Sequence, residues 1–162
     1  IGLRGASGLL ILPPYGTYVF LGTILTGAAL ELPERSPAPD CPRCGACRAA
    51  CPAGALGENG PDVSRCLSEL TQKKGALTGE EEARLRAHPL IWGCDFCQRA
   101  CPYNAAPALS PLPEFSTDLV GNLESSDLEG LTNRTFREKY GGRAFAWRGP
   151  GPLRRNLGLK RE

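Results

Sequence analysis

The chain has 162 residues, of which 41% are hydrophobic, and a formal net charge of +2. That length suits one domain, or a small domain with appendages, and no run approaches the roughly 18 apolar residues of a membrane span. Eight cysteines stand among 20 glycines and 15 prolines, so much of the backbone is expected in turns and irregular connections.

Ile1 opens the chain inside an apolar stretch and there is no methionine anywhere, which predicts an internal fragment or a processed product. No signal peptide is visible, and the expected location is the cytoplasm. The runs Leu9-Leu10-Ile11-Leu12 and Thr17-Tyr18-Val19-Phe20-Leu21 are β-prone, with turn chemistry in Pro13-Pro14-Tyr15-Gly16 between them. They predict a β-hairpin or two adjacent strands. Two strands alone are marginal, so residues 1–36 are expected to complete a sheet that lies upstream. Pro33, Pro37 and Pro39 mark a linker over residues 32–40.

Residues 37–111 form the cysteine-bearing unit. Helical pieces are expected at 43–50, 64–74, 79–87 and 95–100, the third with Glu80-Glu81-Glu82 at its N-terminal end, where acidic groups are favoured. Residues 112–162 form a Pro/Gly-rich basic tail. A weak helix is expected over 128–140, with Thr132 as cap, Phe136 as apolar anchor and Gly141-Gly142 as stop. No strong periodicity marks 148–162. Charge divides the chain: residues 1–133 hold 10 Lys and Arg against 15 Asp and Glu, whereas 134–162 hold 9 against 2. A basic tail on an acidic body suits an anionic partner such as nucleic acid, or is a solvated terminus.

The cysteines carry the chemistry. Cys41, Cys44, Cys47 and Cys51 read C-x2-C-x2-C-x3-C-P, ending at Pro52. This is the bacterial 4Fe-4S run, whose fourth cysteine belongs to the other cluster. Cys94, Cys97 and Cys101 repeat it up to Pro102 without its first member, and Cys66 remains to supply that place. Each cluster needs four thiolates around a small cube: three from one tight turn and one from a distance. Crossing the runs gives two complete sets, Cys41, Cys44, Cys47 and Cys101 for one cluster and Cys51, Cys66, Cys94 and Cys97 for the other. Disulfides would force strained local pairing at these spacings, and structural zinc favours separated CxxC pairs. The fold class expected is α+β, bacterial two-cluster ferredoxin-like, with short helices and loops around two 4Fe-4S clusters and an N-terminal hairpin. His88 is given no role.

The stretches CPRCGACRAACPAGAL at 41–56, RCLSELTQKKG at 65–75 and IWGCDFCQRACPYN at 91–104 resemble the double-cluster domain of the epoxyqueuosine reductase family. GLRGASGLLILPPYGTYVFLG at 2–22 is similar to the segment before that domain, and AFAWRGPGPLRRNLG at 144–158 to the start of the family's helical repeats. The resemblance implies a cobalamin-dependent oxidoreductase that reduces the epoxide of epoxyqueuosine in tRNA to the alkene, with loss of water. It implies cluster ligation by all eight cysteines in the crossed sets. It places Ser68, Cys94 and Asp95 by the corrin, and Gln72 and Lys74 toward the tRNA anticodon loop. A low-potential donor such as flavodoxin or ferredoxin, a monomeric state and no membrane contact are implied with it. The family's catalytic aspartate has no counterpart among these residues. Gly5-Ala6-Ser7 stands where the family usually has Gly-Lys-Asn. The rival readings are a stand-alone two-cluster ferredoxin and another cobalamin-dependent reductase, such as a reductive dehalogenase.

Overall fold

A computed structural model of the chain describes residues 2–31 and 41–160; the linker expected at 32–40 lies outside them. A short antiparallel hairpin pairs β1 (Leu3–Arg4) with β2 (Leu10–Ile11), Leu3 opposite Ile11. Both of those side chains are buried. The hairpin therefore folds back on the residues before it, where the sequence predicted pairing forward with 17–21. The expected turn at 13–16 does form, with one bridge between Leu12 and Gly16. Beyond it the Thr17 amide donates to the Asn104 side-chain oxygen at 2.7 Å instead of extending a ladder. Gly16 makes that docking possible: it has φ +65, and a Cβ there would collide with the Asn104 amide oxygen and the Tyr103 carbonyl.

The cysteine region contains α1 (Ala46–Ala49), a second hairpin of β3 (Leu56–Gly57) and β4 (Gly60–Pro61), a 3-10 turn at Val63–Arg65, α2 (Leu67–Gln72), α3 (Gly79–Ala87) and α4 (Phe96–Arg99). All four expected helices are present, α1 and α4 reduced to single turns. A capping box starts α3: the Thr78 hydroxyl accepts from the Glu81 amide, and the Glu81 carboxylate accepts from the Thr78 amide. Glu81 also pairs with Lys73 at 2.6 Å, and that bond is the main reason its carboxyl lies below the ordinary range. Leu67, Leu70 and Leu85 form the small core between α2 and α3.

The C-terminal part contains α5 (Ser125–Leu128), α6 (Asn133–Tyr140) and α7 (Pro150–Leu159). The helix expected over 128–140 is split, because Gly130 at φ +67 turns the chain and Thr132 caps a new start. The absence of periodicity read over 148–162 is corrected by α7. Pro150 sits in its first turn, where a missing N–H costs little, and burial of Pro152, Leu153 and Asn156 overrides the weak propensity of Gly151 and Gly158. Leu123, Leu128, Phe136, Tyr140 and Leu153 make the larger core, which Ile91 and Trp92 join from the cysteine region.

The helix α7 is fastened by its polar side chains. The buried Asn156 amide donates to the carbonyls of Thr71 and Ile91, both at 2.8 Å. Arg155 reaches the carbonyls of Lys73, Gly75 and Leu70, and Arg154 those of Leu128 and Leu131. Lys160 donates to the carbonyls of Leu85, Arg86 and His88 at the end of α3. These cations add side-chain bonds to carbonyls at or just past helix ends, some of which (Leu70, Leu85 and Leu128) also accept a backbone amide. The tail charge read as suited to an anionic partner is thus partly internal: Arg154 and Arg155 are structural. No helix among the described residues is long and apolar enough to cross a membrane.

Candidate metal centre

The two cysteine runs fold alike. Arg43 before Cys44 has φ +50 and Gly93 before Cys94 has φ +69, so each run enters its turn through a left-handed residue. Cys47 lies on α1 and Cys97 on α4, and these two single-turn helices pack against each other. Each run leaves its helix in the same way. The Cys51 amide donates to the Arg48 carbonyl at 3.2 Å, and the Cys101 amide to the Gln98 carbonyl at 3.0 Å. Pro52 and Pro102 follow, where no further helical N–H can be offered.

That repeated turn sends the last cysteine of each run toward the other run. Cys41, Cys44, Cys47 and Cys101 line one cavity, closed on one side by Gly5, Ala6, Ser7 and Ile11 of the N-terminal hairpin. The Cys47 thiol is pushed up from its ordinary range, first by burial, with the neighbouring thiols of Cys101 and Cys41 adding to it. The other four gather separately. Burial pushes the Cys94 thiol up to about 11, and Cys66, Cys97 and Cys51 add to that rise. Cys97 is raised for the same reasons, with Cys66 and Cys51 as its neighbours. Cys66 reaches this group from the N-terminal end of α2, after the turn that Asp62 caps by accepting from the Ser64 amide at 3.0 Å.

The donor set fits two iron–sulfur clusters. A tetrahedral zinc would need its sulfurs at about 2.3 Å from one centre, whereas a cube takes each thiolate at a different iron. Backbone amides already point at sulfur: Ala6 N–H donates to Cys41 Sγ at 3.4 Å, and Ala55 N–H to Cys51 Sγ at 3.2 Å. Such bonds stabilise thiolates and raise cluster potentials. Raised thiols without metal hold protons that iron displaces on binding.

Of the remaining predicted residues, Ser68 and Asp95 stand within two positions of cysteines of the second group, Cys66 and Cys94. Ser68 follows Cys66 on α2, and its hydroxyl and carbonyl accept from the Gln72 amide at 3.3 and 2.9 Å. The Gln72 side-chain oxygen accepts from the Trp147 indole at 2.9 Å. Asp95 is exposed and accepts from Gln98 at 2.7 Å; Gln98 in turn meets the Thr17 hydroxyl at 2.9 Å. Lys74 is exposed. Ser68 and Gln72 are joined in one network, and no hydrogen bond links either to Asp95 or Lys74 among the described residues. Sequence reasoning missed the Ala6 contact, which is made by a backbone amide and leaves no side-chain signal. It also missed the Trp147 bond to Gln72, which spans 75 positions.

A family model for a 4Fe-4S double cluster binding domain matches residues 40–104. The epoxyqueuosine reductase of Listeria monocytogenes is 40% identical over 164 residues, covering 96% of this chain and 41% of its own length. The solved epoxyqueuosine reductase from Streptococcus thermophilus superposes with a TM-score of 0.76 at 35% identity, over 99% of this chain and 42% of that one. A crystal structure of epoxyqueuosine reductase with a tRNA-Tyr epoxyqueuosine-modified stem loop gives 0.69 at 30% identity, over 98% and 42%. The chain thus spans about two-fifths of the length of the curated relatives it matches. Over that span, with its double 4Fe-4S cluster portion, the chain belongs to the epoxyqueuosine reductase family.

Proposed function

We propose that this chain is the electron-transfer portion of a tRNA epoxyqueuosine reductase, holding one cluster with Cys41, Cys44, Cys47 and Cys101 and the other with Cys51, Cys66, Cys94 and Cys97. The observation that carries the reading is the gathering of the thiols into two groups that exchange their last cysteines. When bound, the clusters supply one-electron steps from a low-potential donor of the flavodoxin or ferredoxin kind toward cobalamin. Two electrons and two protons convert the epoxide of epoxyqueuosine to the alkene and water. The chain's own part is to hold and insulate. Partial burial around Cys94 and Cys97 screens the second group from water, and the Ala6 and Ala55 amides steady the sulfurs.

Ser68 and Asp95 flank Cys66 and Cys94, so their hydroxyl and carboxylate stand beside the second group. They suit an edge contact with a corrin that another part of the protein encloses. Gln72 and the exposed Lys74 suit the tRNA side, Gln72 being held in place by Trp147. A relative solved with a tRNA stem loop supports that partner. A soluble cytoplasmic monomer is the setting this reading expects.

Anaerobic reconstitution tests it. The chain should take up about eight iron and about eight sulfide and bleach in air. Zinc uptake without sulfide contradicts the reading.

A further inference from the structure

Beside the first cysteine group lies an open cleft of about 390 Å³. Three separate pieces of chain build it: the β1–β2 turn, the first cysteine run, and the β3–β4 hairpin. Gly8 and Pro61 close it where the hairpins meet; with φ +82, Gly8 leaves no room for a Cβ against the Pro61 ring. Arg4, Arg43 and Arg48 line the cleft together with Cys41 and Cys47, and Glu58 is the one carboxylate among its lining residues. Arg4 and Arg43 are exposed and have no acidic partner among the described residues; Arg48 makes one bond, to the Gly57 carbonyl at 3.3 Å. Arg43 is held at φ +50, a backbone conformation uncommon for a side chain of its size. Cys44, the one exposed thiol of the eight, sits next to it.

We propose that this arginine cleft docks an acidic one-electron carrier protein, so that electrons enter the chain at the Cys41, Cys44, Cys47 and Cys101 group. This rests on the electron-transfer reading above. A net-positive cleft steers a negatively charged partner and fixes its orientation. Cys41 and Cys47 line the cleft themselves, so a carrier seated there lies against two ligands of the first group. The step is simple in its balance: the carrier loses one electron and the chain gains one, with no bond made or broken. A nucleic-acid strand is a poorer fit, because single-stranded binding calls for aromatic stacking platforms and no aromatic ring lines this cleft. The cleft also shares no residue with the Ser68, Gln72 and Trp147 network.

The test compares two triple variants of the cluster-loaded chain that lose the same charge. One carries Arg4→Gln, Arg43→Gln and Arg48→Gln. The other carries Arg134→Gln, Arg137→Gln and Lys139→Gln, on the exposed face of α6. An acidic flavodoxin is the probe, read by direct titration of binding and by stopped-flow reduction, at low and high salt. The cleft variant should lose about tenfold or more in association rate and much of its salt dependence, with iron content unchanged. The α6 variant should stay within about twofold of the parent chain. Equal losses in both variants, or none in the cleft variant, overturn the proposal. So does a cleft variant that keeps flavodoxin binding and loses affinity for a tRNA stem loop. If the triple variant loses its clusters, the three single substitutions carry the same test, each with a smaller loss. Failure of the parent chain to load iron and sulfide overturns the electron-transfer reading itself. Loaded clusters with carrier binding indifferent to the arginines overturn only this docking site.

Discussion

The helices α1 and α4, which carry Cys47 and Cys97, bury no residue of their own, whereas α6 and α7 bury Phe136, Tyr140, Leu153 and Asn156. The two regions lie in one chain and answer the same need, holding short helices in place, by different means. In the C-terminal helices, apolar area removed from water offsets the ordering of the backbone. In the cysteine runs that area is missing, and four-residue helices are far too short to persist alone. Metal ligation has to supply what burial does not. The boundary between the regimes runs through α2 and α3, whose small core of Leu67, Leu70 and Leu85 also touches Cys94 on one side and Leu159 on the other.

Removing the iron is the hardest blow to that contrast. Chelation should melt the turns around residues 41–57 and 94–104 while α6, α7 and their core stay protected, as read by amide hydrogen exchange. Uniform loss of protection would show that the C-terminal core depends on the clusters as well. Uniform retention would show that the cysteine runs need no metal.

A core truncation inverts the experiment. Phe136 is buried against Tyr140 and Phe145, with ring centroids 5.3 and 6.5 Å away. Phe136→Ala should cost about 3–5 kcal/mol of stability in the C-terminal part, measured by denaturant unfolding of the loaded chain, while the visible absorption of the clusters persists into the transition. Bleaching at the same low denaturant as helix loss would merge the two regions into one cooperative unit.

The smallest expected effect lies at the join. His88 is buried, its Nε2 meets the Gly93 carbonyl at 2.9 Å, and its Nδ1 has no partner. Burial holds its pKa below the ordinary value of about 6.5. A histidine with a depressed folded pKa gives stability that is intact above the unfolded value and declines as pH falls through it. Melting temperatures measured downward from pH 7.5 should therefore fall more steeply for the parent chain than for His88→Asn. Parallel slopes would remove His88 from the account.

What could be read in the sequence follows the same division. The cysteine spacing shows both groups, because ligation demands fixed chemistry at fixed intervals, and the Thr78 to Glu81 box marks α3 at the residues where it begins. Much of the rest depends on contacts that are distant in sequence. The strand partner of Leu10 is Arg4 because Thr17 is drawn away to Asn104, 87 positions off. The helix α7, with Gly151, Pro152 and Gly158 in it, has poor local signals and forms because Leu153 and Asn156 fit between α2 and α5. Arginine charge in the tail likewise suggested an outward role, until carbonyl partners on α2 and α5 accounted for Arg154 and Arg155.

The crossing of the two cysteine runs is the centre of this account, and an iron anomalous-scattering map of the loaded chain tests it most directly. The Cys101 sulfur should bind the iron cluster held by Cys41, Cys44 and Cys47, and the Cys51 sulfur the cluster held by Cys66, Cys94 and Cys97. A Cys101 sulfur bound beside Cys94 and Cys97 would contradict it.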